Sequence, residues 1–150
     1  MPFFSGTYYF TVDTKGRIII PAPFREIISA NYSTKLYITN APVDQCLHIY
    51  PLEEWSKLQE KIRTKPNSDK HVKFFKRRVI ASAVEVDLDK QGRILMPAAL
   101  RENAKVNGDV VIVGQVDWIE VWDRGEWDKL VDLSQIDKES MEDGIAALGL

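Results

Sequence analysis

Two pentapeptides of the same pattern carry the residues of this chain best suited to chemistry. They are Asp13-Thr14-Lys15-Gly16-Arg17 and Asp89-Lys90-Gln91-Gly92-Arg93. An aspartate at the head of such a segment hydrogen-bonds backbone amides two residues on, and a glycine supplies the positive φ that a tight turn needs. The arginine that closes it offers a planar fork matching a guanine edge or a phosphate. Lys15 and Lys90 add point charges near the tips. This is the chemistry of gripping an anion or a base edge, with no bond made or broken. Asp13 and Asp89 would repel phosphate, so their task is to support the turn or hold the arginine. The competing reading is that each Asp–Arg pair only stiffens its own turn, as surface ion pairs commonly do. The lysine sits one place earlier in the second turn, so the two turns need not read alike.

Other candidate chemistries lack partners. Cys46 and His48 lie two apart on one strand face, but His71 is the only other histidine and no second cysteine exists. A core cysteine and a strand histidine are the expectation, with no metal site. Asp87 and Asp89 have no Gly-rich phosphate loop or metal-ligand spacing beside them. No nucleophile, base and orienting group converge, so no catalytic residue, cofactor or small-molecule substrate is expected. Arg25 and Arg101 fall on short helices and lean to a structural role. Lys70, Lys73, Lys76, Arg77 and Arg78 form the densest basic cluster. It reads as a solvated helix face, or as a surface for ring packing or a second phosphate contact.

The elements that must position the turns are themselves duplicated. Residues 13–25 and 89–101 align without a gap, sharing Asp, Gly, Arg, Ile, Pro, Ala and the final Arg. A strand rich in β-branched and aromatic residues precedes each block. After the first turn, Ile18-Ile19-Ile20 reads as a short buried strand. A helix then opens near Pro23, with Phe24, Ile27 and Ile28 on one face. Two further strands follow, near Lys35–Thr39 and Cys46–Tyr50, and again near Asp109–Val113 and Trp118–Trp122. Gly114 to Asp117 reads as the second hairpin turn, four residues shorter than the first. A helix from Leu52 carries Trp55, Leu58 and Ile62 on one face. Another, capped by Ser68 or Asp69, carries Val72, Phe75 and Val79. The modules are placed at 7–53 and 83–125, with a helical connector at 54–82. Residues 126–150 form a helix and an acidic, frayed tail. One copy alone would leave sheet edges and a half-covered apolar face, so two copies are expected to interleave into one domain.

The bulk numbers agree with an ordinary globular protein, 45% hydrophobic and 28% charged. No apolar run approaches the ~18 residues of a membrane span, and the N-terminus lacks a signal-peptide pattern. One cysteine fits a reducing cytosol. Net charge is −2, but residues 120–150 carry −6 and the rest +4. The body is basic, and local fields govern an encounter with DNA.

The tandem Asp-x-x-Gly-Arg block, beside Tyr50-Pro51-Leu52-Glu53-Glu54-Trp55 and Val111-Ile112-Val113-Gly114, resembles the MraZ family, whose members have two SpoVT-AbrB-type modules. The likeness runs from about Gly6 to Trp127. It implies a mostly β, α+β fold, an AbrB-like swapped-hairpin β barrel formed by both repeats. It implies a cytoplasmic, nucleoid-associated transcription factor that forms rings, usually octamers. Such a factor binds closely spaced repeats in double-stranded DNA upstream of the division and cell-wall gene cluster. On that reading Lys15, Arg17, Lys90 and Arg93 contact DNA, while Asp13, Gly16, Asp89 and Gly92 support the turns. Tyr50, Trp55, Trp118, Trp122 and Trp127 repeat with the module, which marks them as core or interface anchors, and tryptophans left exposed on one subunit are expected to be buried between subunits. The alternative is an AbrB-type assembly module without specific DNA binding. A DNA reader needs Arg17 and Arg93 exposed on one common face, whereas an assembly module would pair or bury them.

Overall fold

The computed structural model describes residues 2–150. Eight strands form: β1 (Thr7–Thr11), β2 (Arg17–Ile19), β3 (Lys35–Asn40), β4 (Leu47–Pro51), β5 (Val84–Asp87), β6 (Arg93–Leu95), β7 (Asp109–Gln115) and β8 (Trp118–Asp123). Six helices accompany them: α1 (Ala22–Asn31), α2 (Leu52–Arg63), α3 (Lys70–Phe75), α4 (Ala98–Ala104), α5 (Arg124–Leu130) and α6 (Lys138–Ala147). Pro23 sits in the first turn of α1, where a missing N–H costs nothing. Asp69 caps α3 by accepting from the His71 amide, and the helix continues as a wide π turn over Lys76–Ile80.

Six strands pair antiparallel in the order β1-β7-β8-β4-β3-β5, and β2 pairs with β6 as a separate two-stranded ribbon. The halves therefore exchange strands. β1 of the first half lies on β7 of the second, and β5 of the second lies on β3 of the first. Swapping the repeat-equivalent strands and reversing the order returns the same sheet, so the arrangement has a pseudo-twofold axis. The axis passes through the ribbon where Ile18 faces Ile94. At the sheet centre it passes between His48 and Glu120, which face each other across β4 and β8. The result is a mixed α+β, mostly antiparallel chain whose main ladder runs between two edges, β1 and β5.

Ribbon and sheet share one core. Ile18 and Ile94 cluster with Leu36, Ile38, Leu47, Ile49, Ile112, Ile119 and Val121. Burying a side chain of that size stabilises by about 1.5–3 kcal/mol over leaving it exposed, so the ribbon is firmly seated. The other face of the sheet is covered too. Trp55 and Val79 pack on Tyr50 at one end, and Trp122, with Trp127 beside it, packs on Val111 and Val113 at the other.

Four expectations change. The Ile18–Ile20 segment is not wholly buried, because Ile19 falls on the outer face of the ribbon at 40% exposure. A two-stranded ribbon with one seated face must turn alternate residues outward. The second hairpin turn is Val116–Asp117, between the ends of β7 and β8. Gly114 instead lies within β7, where a Cβ would run into the backbone of Ser5. The tryptophans are not exposed: Trp55 and Trp122 are buried in the core of this chain, as the core side of that expectation has it, and Trp118 and Trp127 are half-buried. The tail is not frayed throughout. Asp132 caps a 3₁₀ turn at Leu133–Gln135, and Asp137 caps α6 by accepting from the Ser140 amide.

Candidate nucleic-acid interface

Each turn is built around its aspartate. Asp13 Oδ1 accepts from the Lys15 amide at 2.9 Å and the Arg17 amide at 2.8 Å. Its Oδ2 accepts from Arg17 Nε at 2.7 Å. The Arg17 amide bond lowers the Asp13 pKa most, the Arg17 side-chain bond adds to it against slight burial, and the value falls to about 2. Asp89 repeats the scheme. Its Oδ1 accepts from the Gln91 and Arg93 amides, both at 2.9 Å, and its Oδ2 from Arg93 Nε at 2.9 Å. Its carboxyl is also held below the ordinary value, chiefly by the Arg93 amide.

The ribbon brings the two turns together. Arg17 lies opposite Leu95 and Ile19 opposite Arg93. Cross-strand partners and alternate residues share a face, so Arg17, Ile19, Arg93 and Leu95 occupy the same outer surface. Ile19 and Leu95 are exposed there, while Ile18 and Ile94 point into the core. The turns are also stitched to each other. The Ile20 amide donates to the Gly92 carbonyl at 2.9 Å, and the Met96 amide to the Gly16 carbonyl at 3.0 Å.

Arg25 and Arg101, the matching arginines of α1 and α4, complete this crossover. Arg25 Nη1 donates to the Ile20 carbonyl at 2.6 Å, and Arg101 Nε to the Met96 carbonyl at 3.0 Å. Each guanidinium also lies over the turn glycine of the other half. A Cβ on Gly16 would sit 2.5 Å from Arg101 Cζ, and one on Gly92 would sit 2.5 Å from Arg25 Nη1. Both glycines have positive φ, +87° and +76°, a region that side-chain-bearing residues disfavour. Gly16 and Gly92 are thus required twice, for the turn and for the arginine laid against it. Arg25 and Arg101 act within the chain, in line with their expected structural role.

Arg17 and Arg93 meet both halves of the discriminating test. Each is paired with its own aspartate, yet 29% and 25% of their side-chain surface stays exposed on the common face. The pairing uses Nε, so the fork edge of Arg17 is left open. Lys15 and Lys90 are exposed. The Lys70–Arg78 cluster lies elsewhere, on α3 and its π turn, where Arg78 Nε donates to the Ala41 carbonyl at 2.7 Å.

Sequence reading missed one partner. His48 Nε2 lies 3.0 Å from Glu120 Oε2, and its Nδ1 lies 3.1 Å from the Tyr50 hydroxyl. Trp122 Nε1 donates to the other Glu120 oxygen at 2.9 Å. Burial pushes the Glu120 pKa up, and the bonds from His48 and Trp122 together pull it below its ordinary value. Cys46 Sγ joins His48 and Glu120 within 4.8 Å, and burial pushes its thiol up. The signal was in the hairpin offset: 48 and 120 are equivalent positions of the shortened second repeat, and equivalent positions meet at a twofold axis.

The model of the family described as "MraZ protein" matches this chain twice, over residues 3–78 and 79–146. The chain belongs to the MraZ family. Among its MraZ relatives, the transcriptional regulator MraZ of Acetivibrio thermocellus is 43% identical over 147 residues, spanning 98% of this chain and 99% of that protein. The transcriptional regulator MraZ of a Thermoanaerobacter species is 37% identical over 145 residues, 97% of this chain and 98% of that one. That of Desulfitobacterium hafniense is 43% identical over 124 residues, 83% of each. No helix among the described residues is long and apolar enough to cross a membrane.

Proposed function

We propose that this protein is a transcriptional regulator that binds double-stranded DNA through the outer face of the β2–β6 ribbon. Arg17 and Arg93 are its base or phosphate contacts, and Lys15 and Lys90 are phosphate contacts. The observation that carries the reading is the meeting of the two turns: both arginines share one exposed surface, each held at Nε by an aspartate. An arginine already oriented loses less freedom when its fork engages a planar acceptor pair. A two-stranded ribbon also fits the width of the major groove. The transcriptional-regulator names of relatives that span nearly the whole chain support the same conclusion.

Family membership supports the rest of the reading. The modules at 7–53 and 83–125 close a swapped-hairpin barrel, joined by the connector at 54–82 and followed by the C-terminal segment at 126–150. Subunits assemble into a ring in the cytoplasm, on the nucleoid. Several ribbon faces then engage closely spaced promoter repeats of the division and cell-wall gene cluster. One ribbon binds weakly, and linked contacts raise affinity ~10²–10⁴-fold over one.

A gel shift with promoter repeats at two salt concentrations tests this. Binding should fall steeply with salt, and Arg17→Ala combined with Arg93→Ala should abolish the specific shift. Unchanged affinity with the assembly intact would leave an assembly module as the function.

A further inference from the structure

The outer face of the sheet holds a polar cluster that the proposed DNA surface does not use. Cys46 directly precedes β4 and shares a face with His48 and Tyr50 of that strand. Trp118, Glu120 and Trp122 share a face of β8, and Glu120 lies directly opposite His48. The Cys46 sulfur, a His48 ring nitrogen and a Glu120 carboxylate oxygen lie within 4.8 Å of one another. Cys46 is fully buried, and only 7% and 12% of the His48 and Glu120 side chains are exposed.

Two of these groups are oriented as metal ligands are. A ligating histidine has its second nitrogen bonded, and a ligating carboxylate is held by further hydrogen bonds. Tyr50 holds His48 Nδ1 at 3.1 Å and leaves Nε2 toward Glu120. Trp122 holds Glu120 Oε1 at 2.9 Å and leaves Oε2 toward His48. Tetrahedral Zn²⁺, ~2.0–2.3 Å from each ligand, sets ligand atoms about 3.3–3.6 Å apart. The 3.0 Å between Nε2 and Oε2 need open only by a few tenths of an ångström to reach that. The charges balance too. The thiol gives its proton to solvent as the sulfur–metal bond forms. One thiolate and one carboxylate then cancel one divalent cation, which a buried site requires. Sulfur and imidazole favour Zn²⁺ over Mg²⁺ or Ca²⁺, which take oxygen ligands. Three protein ligands leave a fourth position for a solvent oxygen. Trp118, whose ring centroid is 5.4 Å from that of His48, keeps its Nε1–H buried without an acceptor among the described residues. A solvent oxygen at that position would supply one. A cleft of about 370 Å³, with His48, Tyr50 and Trp118 on its walls, gives the ion a way in.

We propose that Cys46, His48 and Glu120 bind one Zn²⁺, which clamps β4 of the first half to β8 of the second at the pseudo-twofold axis. Glu120 is 72 positions from His48, so spacing along the chain shows two of the three ligands and hides the third. The site is independent of DNA binding by the ribbon.

Titration of the chelator-treated full-length protein with Zn²⁺ and Co²⁺ tests it. Zn²⁺ should bind once per chain and raise the melting temperature. Co²⁺ should give a thiolate-to-metal charge-transfer band, and Cys46 is the chain's one cysteine, so no other residue can be its source. Cys46→Ala leaves a small apolar side chain in an apolar setting, and Glu120→Gln keeps the shape of the carboxylate. Each should weaken Zn²⁺ binding at least about tenfold, since even losing a residue behind a ligand costs that much. Circular dichroism confirms that both are folded. His71→Ala should leave binding unchanged. A wild type with no Zn²⁺ stabilisation and no Co²⁺ charge-transfer band overturns the proposal. Zn²⁺ binding that survives both Cys46→Ala and Glu120→Gln overturns it too. So does binding that His71→Ala removes, which would place the ion at the exposed Asp69–His71 pair.

Discussion

In the first turn, Arg17 gives its Nε to Asp13 and makes no other side-chain hydrogen bond among the described residues. In the second, Arg93 gives its Nε to Asp89 and a terminal nitrogen, Nη2, to Gln91 Oε1 at 2.5 Å. The position that decides this is occupied by Lys15 in the first copy and Gln91 in the second. A lysine there repels the neighbouring guanidinium and leaves its fork to solvent, whereas a glutamine binds it. Within the duplicated block, the difference between Lys15 and Gln91 separates a free arm from a clamped one. The same release from symmetry appears at the far end of the axis. There the equivalent positions 48 and 120 hold a histidine and a glutamate that bond to each other. Two identical residues meeting at that point could not make an imidazole–carboxylate bond. A duplicated chain can place unlike residues where a symmetric dimer of single repeats must place like ones.

The largest effect should come from removing the arms. Arg17→Ala and Arg93→Ala should each weaken binding to promoter-repeat DNA, by ~1–3 kcal/mol for each base edge that the arginine reads. Arg17→Ala should cost more, because the Arg93 fork must first leave Gln91. Equal effects in side-by-side titrations would break the comparison and show the Gln91 bond to be energetically idle.

The glycines should show the opposite, a symmetric response. Gly16→Ala and Gly92→Ala each force a side chain into positive φ at ~1–2 kcal/mol, and each displaces an arginine of the opposite half. Thermal melting should fall by roughly 2–4 °C per kcal/mol for a chain of this size. Similar decreases for the two variants confine the difference between the turns to the arginine forks. A much larger decrease for one would extend it to the scaffold.

The turns were legible in the sequence because Asp, Gly and Arg at fixed spacing satisfy local rules, and a local rule is written in local residues. The repeat likewise announced interleaved halves. Three features could not be read that way. Ile19 faces outward although it sits in an apolar run, because the ribbon is two strands wide and only one side meets the core. The tryptophans stay on their own chain because α2, α5 and the π turn fold back to cover the outer face of the sheet, a tertiary choice with no local mark. Arg25 and Arg101 reach across to the other half's glycine, joining residues 67 and 85 positions apart in the chain. What sequence reading missed was long-range, and what it found was short-range or repeated.

Exchanging the deciding residue sharpens the comparison at smaller cost. Gln91→Lys should free Arg93 and add a phosphate contact, steepening the dependence of log affinity on log salt by about 1. Lys15→Gln should do the reverse to the first turn. If neither exchange moves the salt slope, positions 15 and 91 lie off the DNA face.

The smallest effect is in acid, and its sign follows from the bonds. Both aspartates have folded pKa values below the ordinary 3.8, Asp13 down to about 2. A carboxyl with a depressed folded pKa adds stability that is fully present above the unfolded value and is lost as pH falls through the folded one. The first turn therefore holds unchanged from neutral pH down to about 4 and loosens between there and about 2, and the second likewise loosens only as pH falls below the ordinary carboxylate value. Asp13 should contribute more of that acid slope, because its bonds to the Arg17 amide and Nε, at 2.8 and 2.7 Å, are shorter than the 2.9 Å of their counterparts in the second turn. Melting curves from pH 7 to pH 2 for wild type, Asp13→Asn and Asp89→Asn measure this. Asp13→Asn should flatten the slope below pH 4 more than Asp89→Asn, and neither should change it above pH 5. Equal flattening would make the two carboxylates equivalent and leave Gln91 as the only difference between the turns.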